Sequence, residues 1–338
     1  MRRFALASII AASLGACAQG GAVTSASDGA EAPIKPTLFV AGKFGNTLSK
    51  VDLETGEEVL RLDSCTNPHE LATSPDGEHV ALACYGGITV DIFETSTLER
   101  VKSIDLGENA RPHGIVWHAN GNIYVTNEGR KSVRLIVGPL TSATTVFEFS
   151  TGKEGSHMLA VSPDGRTAWT TDLGSKTVTR VALRSRVAPI SVTVGEEPEG
   201  IALSPDGSAL WVSARGSNEA YELDPVSLEV RKTVSTGAFP LRIVIRPQGD
   251  VVVTSDLQDG GLSVIDLASG IVLRQIAVSS PEEAEERFQV TILWSDDGSK
   301  IYVAETASDT VAEVDYASGN VLRRFKVGDG GDGMAILP

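Results

Sequence analysis

Short apolar segments, each followed by a turn and a second apolar segment, run along most of the chain. Residues 68–84, PHELATSPDGEHVALAC, show the pattern: an apolar strand, a Ser-Pro-Asp-Gly turn and another apolar strand. In such a turn, proline fixes φ early and glycine supplies the position with positive φ. The pattern therefore predicts pairs of short antiparallel strands rather than amphipathic helices.

The same unit recurs along the chain at nearly constant spacing. The leading positions of six copies are separated by 44, 44, 42, 42 and 48 residues. A third strand ending in Asp, a hairpin and a fourth strand follow most copies. A four-stranded unit of about 43 residues is typical of a propeller blade. The six copies are residues 68–84, 112–127, 156–172, 198–214, 240–255 and 288–305.

The two ends of the described repeat supply one more blade. Residues 331–337 match the first strand of a blade with nothing after it, and residues 37–41 match a second strand with nothing before it. We expect these ends to pair, because closure of the ring removes exposed strand edges. The sequence therefore predicts an all-β fold: one seven-bladed β-propeller, four strands per blade, over residues 37–338.

One copy carries a family motif. Ile123-Tyr124-Val125-Thr126-Asn127 is the YVTN signature, and residues 301–305 are a variant of it. The chain resembles the YVTN-repeat, or YncE-like, seven-bladed propellers over essentially all of residues 37–338. Such propellers include binding proteins, lactonases and quinoprotein-related subunits, so the resemblance implies a fold and leaves the function open.

The N-terminus has the features of an export signal. Residues 1–16 combine two arginines with an apolar segment too short to span a bilayer. Leu14-Gly15-Ala16-Cys17 resembles a bacterial lipobox, in which the cysteine is lipidated after cleavage; the alternative is an ordinary signal peptide with an incidental cysteine. Residues 17–36 are predicted to form a flexible tether. We therefore expect a lipid-anchored protein on the periplasmic side of the envelope, at the outer membrane.

The net charge of the chain limits the classes of molecule that it can bind. The chain has 44 acidic and 29 basic residues, a net charge of −15, which disfavours nucleic acid. Membrane contact is expected through the lipid anchor only, and we expect a monomer whose partner is a small ligand or an envelope protein. Export also favours a disulfide between the two remaining cysteines, Cys65 and Cys84. A thiolate metal site with His69 is the alternative.

Candidate site residues follow from the repeat, because the first strand of each propeller blade lines the central channel. Three of the five histidines fall at the same leading position on successive blades. The ends of the second strands lie on the same face and add Glu128 and Arg215. The leading positions around the ring are Asp332, His69, His113, His157, Glu199, Leu241 and Gln289. The predicted ligand-binding residues are Asp332, His69, His113, His157, Glu199, Glu128 and Arg215.

Two interpretations of the histidines remain open. Imidazoles with a carboxylate suit Zn²⁺, Cu²⁺ or Fe²⁺, which predicts His69, His113 and His157 as metal ligands. The alternative is a polar channel mouth that holds water or a non-metal ligand. No cofactor beyond such a transition metal is indicated.

Three functions fit this chain. The preferred one is a non-enzymatic platform that binds a ligand or protein partner at the channel mouth. The second is a lactonase-like hydrolase with His113 or His157 as base or metal ligand, and Glu128 beside them. The third is a metal-binding or quinoprotein-related redox propeller. The sequence has no serine nucleophile elbow, P-loop or dinucleotide fingerprint, and no catalytic residue is assigned.

Overall fold

The structure is a computed structural model that describes residues 35–185 and 187–337. The predicted signal peptide, Cys17 and nearly all of the predicted tether lie outside these residues. Within the described ranges, no helix has the length and apolar character needed to cross a bilayer.

Twenty-eight strands and one α-helix form within the described residues, and the strands make seven antiparallel sheets of four. Blade 1 contains β1 (Thr37–Gly42), β2 (Thr47–Asp52), β3 (Glu57–Asp63) and the last strand of the chain. Blade 2 contains β4 (Pro68–Thr73), β5 (His79–Cys84), β6 (Thr89–Glu94) and β7 (Arg100–Asp105). Blade 3 contains β8 (Pro112–Trp117), β9 (Ile123–Asn127), β10 (Ser132–Val137) and β11 (Thr145–Ser150). Blade 4 contains β12 (Ser156–Val161), β13 (Thr167–Asp172), β14 (Thr177–Ala182) and β15 (Ile190–Thr193).

The remaining blades repeat this plan. Blade 5 contains β16 (Pro198–Leu203), β17 (Leu210–Ala214), β18 (Glu219–Leu223) and β19 (Val230–Ser235). Blade 6 contains β20 (Pro240–Ile245), β21 (Val251–Asp256), β22 (Gly261–Asp266) and β23 (Val272–Ala277). The helix α1 (Pro281–Arg287) leads to blade 7, which contains β24 (Gln289–Trp294), β25 (Lys300–Glu305), β26 (Thr310–Asp315) and β27 (Val321–Lys326). The last strand, β28 (Gly331–Leu337), belongs to blade 1.

Both chain ends close the ring. Strand β28 is the inner strand of blade 1 and pairs antiparallel with β1, with Leu337 opposite Thr37 and Met334 opposite Val40. Each inner strand contacts the inner strands of the two neighbouring blades. The predicted seven-bladed fold, closed by strands from both ends, is confirmed.

The core lies between neighbouring blades. Ile92 and Ile104 of blade 2 belong to one buried cluster with Ile123 and Ile136 of blade 3. The same arrangement recurs around the ring, since the middle strands present buried apolar side chains on both faces. Full burial of one such side chain stabilises the fold by about 1.5–3 kcal/mol.

Glycine on the inner strands lets the blades approach closely. A Cβ on Gly333 would lie 1.9 Å from the carbonyl oxygen of His69 on the neighbouring inner strand. A Cβ on Gly114 would lie 2.9 Å from the carbonyl oxygen of His157. The glycine that follows His113 in Pro-His-Gly is therefore required by packing at the channel wall.

Every inner strand begins in the same way. The residue before it has a left-handed backbone, with φ between 47° and 72°. The ladder to the second strand then shifts register within the first few residues. Such bulges redirect side chains and are common beside functional sites. The seven left-handed residues are Gly330, Asn67, Arg111, Gly155, Glu197, Phe239 and Phe288.

One predicted leading position was wrong. Gln289 pairs with Glu305 as the first residue of its strand, as Pro68 pairs with Cys84, so Val290 takes the leading position in blade 7. The amide of Gln289 instead donates to the carbonyl oxygen of Gly261. The alignment slipped by one residue because α1, capped by Ser280, lengthens the connection between blades 6 and 7.

Candidate functional site

Two sets of side chains meet at the mouth of the channel. The first comes from the second residue of each inner strand, and the second from the residue that follows each second strand. The first set is Asp332, His69, His113, His157, Glu199, Leu241 and Val290. The second set is Lys43, Tyr85, Glu128, Leu173, Arg215, Leu257 and Thr306.

The three histidines lie side by side. The ring centroids of His113 and His157 are 3.7 Å apart, with the planes tilted by 34°. Those of His69 and His113 are 4.7 Å apart, in an edge-to-face arrangement. Tyr85 covers both His69 and His113, at 4.5 Å and 5.4 Å between centroids. The histidines occupy the equivalent position of three successive blades, and their rings therefore form one continuous row.

His157 is held between two carboxylates. Its Nδ1 contacts Glu128, and its Nε2 lies 3.0 Å from Oε1 of Glu199. Burial alone would lower the pKa of His157, but the two carboxylates outweigh it and raise this pKa to about 9. His157 is therefore the cationic member of the row at neutral pH.

His113 has the opposite character. It is 2% exposed, and burial, together with the charges of His157 and other nearby cations, holds its pKa well below the usual value. Its Nδ1 is buried and has no hydrogen-bond partner among the described residues. The row thus places a neutral imidazole against a charged one. Burial also lowers the pKa of His69.

An ion pair between Lys43 and Asp332 lies beside His69. Lys43 donates to Oδ2 of Asp332 at 3.0 Å, and Nε2 of His69 is 3.9 Å from the same oxygen. Asp332 comes from the C-terminal strand and Lys43 from the loop after β1. The blade formed by both chain ends therefore contributes one wall of the mouth.

A buried ion-pair network crosses the channel near the histidines. Arg242 on blade 6 is 5% exposed, and its guanidinium donates to Glu199 at 2.5 Å and to Glu70 of blade 2 at 2.8 Å. Burial opposes the charge of Arg242, but the carboxylates of Glu70 and Glu199 raise its pKa above the usual value. A buried ion pair joins side chains from opposite sides of the ring.

Two further arginines flank His157. The guanidinium carbon of Arg111 lies 4.6 Å from the centroid of the Tyr85 ring, and one of its guanidinium nitrogens lies 3.8 Å from Oε2 of Glu128. Tyr85 donates its hydroxyl to Glu128 at 2.7 Å. On the other side, Arg215 is 2.6 Å from Oε2 of Glu199. Cations and carboxylates therefore alternate from Arg111 through His157 to Arg215.

Blades 6 and 7 present a different surface. Leu241, Leu257 and Val290 form a buried apolar cluster, with Phe239 packed against it. The charged groups of the two sets come from blades 1 to 5, and Arg242 of blade 6 adds one more. The mouth is thus polar on one side and apolar on the other.

The structure brings all seven predicted ligand-binding residues together at the mouth. His113, His157, Glu128, Glu199 and Arg215 form one connected network, and His69 with Asp332 adjoins it. Among the described residues, the group of candidate ligands at the mouth whose ligand atoms lie within 4.8 Å of one another is His113, Glu128 and His157, where Glu128 replaces His69 of the predicted metal set.

The predicted ligand-binding set did not include Glu70, Arg242, Tyr85 and Arg111. Glu70 and Arg242 occupy the third position of their inner strands, which is glycine in three other blades. A charged residue at that position was a usable signal. Tyr85 follows β5 as Glu128 follows β9, so the repeat alignment also contained it.

Cys65 and Cys84 form a disulfide in the structure, with their Cα atoms 5.7 Å apart. The bond connects the loop before β4 to the end of β5, directly before Tyr85. It therefore ties together the segments that carry His69 and Tyr85.

Comparisons with known proteins place the chain by its fold. No family model matches the chain, and no curated protein matches it. Solved structures do match, and the class of protein that they and the sheet topology define is the seven-bladed β-propeller.

Three similar structures show the range of this class. A functionally unknown protein from Desulfotomaculum acetoxidans has a TM-score of 0.74 at 16% identity, covering 89% of this chain and 98% of that one. A "putative 6-phosphogluconolactonase" from Bacteroides uniformis has a TM-score of 0.69 at 17% identity, covering 90% and 100%. A catalytically inactive virginiamycin B lyase from Staphylococcus aureus with quinupristin has 0.64 at 16%, covering 78% and 85%.

Proposed function

We propose that this protein is an exported, lipid-anchored propeller that binds a small ligand carrying a carboxylate or phosphate at its channel mouth, without turning it over. The observation that carries the proposal is the pair of partly exposed guanidinium groups, Arg111 and Arg215, on either side of the cationic His157. Guanidinium groups bind carboxylates and phosphates through paired, charge-assisted hydrogen bonds.

The charge at the mouth differs from that of the chain. Five cationic groups face five carboxylates there, whereas the whole chain carries a net charge of −15. A site in which cations balance the carboxylates repels an anion less than the rest of an acidic surface does. The cations are Lys43, Arg111, His157, Arg215 and Arg242, and the carboxylates are Glu70, Glu128, Glu197, Glu199 and Asp332.

The two flanking arginines are held in place before a ligand arrives. Arg111 lies over Tyr85 at 4.6 Å, and Arg215 lies over Phe239 at 5.1 Å. A side chain ordered in advance loses less conformational entropy when it binds. The Arg242 ion pairs link the inner strands of blades 2, 5 and 6, so the strands that carry the polar groups of the mouth are tied together.

Export and anchoring are the second part of the proposal. Cys17 in Leu-Gly-Ala-Cys and the YVTN motif at residues 123–127 support an exported member of the YVTN-repeat propellers. Radiolabelled fatty acid should be incorporated into the wild-type protein and not into a Cys17→Ser variant. Labelling of both, or of neither, would contradict lipidation at Cys17.

Ligand binding is tested by isothermal titration of the full-length protein, purified in detergent and treated with a chelator. The probes are gluconate, glucose 6-phosphate and inorganic phosphate. We expect at least one to bind, and Arg111→Ala or Arg215→Ala to weaken it at least tenfold. Arg61→Ala is the control, because Arg61 pairs with Glu58 on the outer strand β3. Absence of binding by all probes, or equal losses in Arg61→Ala, would overturn the proposal.

A hydrolase is the second candidate, and one observation favours it. Within the described part of the chain, His113 has an unpartnered Nδ1 and lies beside Glu128, so this nitrogen is placed to accept a proton from a water molecule. The similar structure from Bacteroides uniformis is described as a "putative 6-phosphogluconolactonase". If the protein hydrolyses a δ-lactone and the His113→Gln variant does not, this function is supported. If hydrolysis with the protein is no faster than uncatalysed hydrolysis in buffer, the function is excluded for that substrate.

A further inference from the structure

The structure holds a compact group of metal-ligating side chains that differs from the set expected from the repeat. His113, Glu128 and His157 each offer one ligand atom, and these atoms lie within 4.8 Å of one another. They come from β8, from the residue after β9, and from β12, on two adjacent blades. Two imidazoles and one carboxylate form a ligand set used for Zn²⁺ and for non-haem Fe²⁺.

His113 supplies an independent observation. Its side chain is 2% exposed, and its Nδ1 has no hydrogen-bond partner in residues 35–185 or 187–337. Buried polar atoms are normally paired, so an orphaned imidazole nitrogen inside a polar cluster indicates a missing partner. A metal ion accepts the lone pair that no neighbouring donor occupies.

The neighbours of these ligands have the arrangement found around metal sites. Glu199 contacts Nε2 of His157 at 3.0 Å, which leaves Nδ1 of His157 facing Glu128. Tyr85 donates to Glu128 at 2.7 Å and fixes its carboxylate. Metal-bound histidines commonly donate their other nitrogen to a carboxylate, and metal-bound carboxylates are themselves hydrogen-bonded.

We infer that His113, Glu128 and His157 bind one divalent transition-metal ion of the zinc or iron(II) class, with Glu199 and Tyr85 as positioning residues. The ion takes the place of the proton between His157 and Glu128. Three protein ligands leave coordination positions open toward the mouth, where the carboxylate or phosphate of the proposed ligand would reach the ion. The metal site does not depend on that ligand.

The test uses the full-length protein, stripped with chelator and titrated with Co²⁺ and Zn²⁺ alone. We expect about one tightly bound ion per chain, with visible Co²⁺ absorption typical of four or five ligands. His113→Gln and Glu128→Gln should each weaken binding at least 100-fold, and Tyr85→Phe should weaken it about 10- to 100-fold. Circular dichroism and thermal unfolding establish that each variant is folded.

His79→Gln is the matched control. His79 is half-buried and forms a second group of candidate ligands with the exposed Asp76 and Glu78, at the far end of β5 from the mouth, and accounts for weak surface binding. Tight binding that survives in both His113→Gln and Glu128→Gln, or that is lost only in His79→Gln, would overturn the inference.

The metal titration and the anion titration separate the two proposals. Anion binding by the chelated protein, without tight Co²⁺ binding, would sink the metal site alone. Tight Co²⁺ binding with no anion binding in either the chelated or the metal-loaded protein would sink the proposed function alone.

Discussion

Arg242 on blade 6 donates a hydrogen bond of 2.8 Å to Glu70 on blade 2, so one buried ion pair links opposite sides of the central channel. The same guanidinium donates to Glu199 of blade 5. Three inner strands are therefore tied together near the histidines. These groups are almost fully buried, so removal of one partner would leave the other as an unpaired buried charge. The cost of that unpaired charge exceeds the net contribution of the ion pair to stability.

Arg242→Met is expected to destabilise the protein strongly. The substitution leaves the carboxylate of Glu70 buried without its cation and removes one of the three cations around Glu199, a loss of about 3–5 kcal/mol for a broken buried pair. Urea unfolding of both proteins measures it. Addition of Glu70→Gln to Arg242→Met should recover part of the loss, whereas an additive double variant would show that Arg242 and Glu70 are not coupled.

The disulfide is expected to stabilise the site face. Its cysteines are 19 residues apart, and closing a loop of that size stabilises the fold by about 3 kcal/mol. Cys65→Ser combined with Cys84→Ser should lower the urea midpoint accordingly. A reducing agent should lower the midpoint of the wild type and leave the double variant unchanged. A wild type insensitive to reduction would contradict the prediction.

His157 should make stability fall as the pH rises. Its carboxylate neighbours raise its pKa from 6.5 to about 9, so the folded state binds this proton more tightly than the unfolded state. The contribution of this proton to the free energy of unfolding is complete below pH 6.5 and is lost as the pH rises through 9. A pKa shift of this size corresponds to about 3 kcal/mol.

The check on His157 is urea unfolding of the chelated protein at several pH values. The wild type should lose stability between pH 6.5 and 9, and His157→Gln should show a flatter dependence over the same range. Parallel profiles for the two proteins would refute the proposed charge on His157.

His113 should affect the stability of the protein at acid pH. Its pKa lies well below 6.5 in the folded protein, so the unfolded chain takes up its proton first. Its contribution to stability is therefore present above pH 6.5 and is lost as the pH falls toward the folded pKa. His113→Gln should reduce the loss of stability below pH 6.5, measured in the same chelated buffers. A steeper acid loss in the variant would contradict the assignment.

Gly333→Ala should disturb ring closure. The new Cβ would lie 1.9 Å from the carbonyl oxygen of His69, so the two inner strands would have to separate. We expect a loss of at least about 2 kcal/mol, measured by thermal unfolding, since overpacking commonly costs about 1–3 kcal/mol. Gly87→Ala is the control, because its Cβ would meet only the carbonyl oxygen of Cys84, at 3.6 Å. Equal effects of both substitutions would reject the packing argument.

The repeat in the sequence determined the fold. Turn residues, apolar strands and constant spacing belong to each blade separately, so they are visible along the chain. The same spacing identified His69, His113 and His157 as neighbours on successive blades. It misplaced Gln289 by one residue, because α1 interrupts the period just before that blade.

Only the tertiary structure decided how the site is connected. The contact between Arg242 and Glu70 joins residues 172 positions apart, and no local pattern couples them. The charge on His157 and the neutrality of His113 also arise in three dimensions, since they depend on which carboxylates and cations surround each buried ring. Sequence periodicity places residues at the channel, whereas burial and distance determine their protonation and their partners.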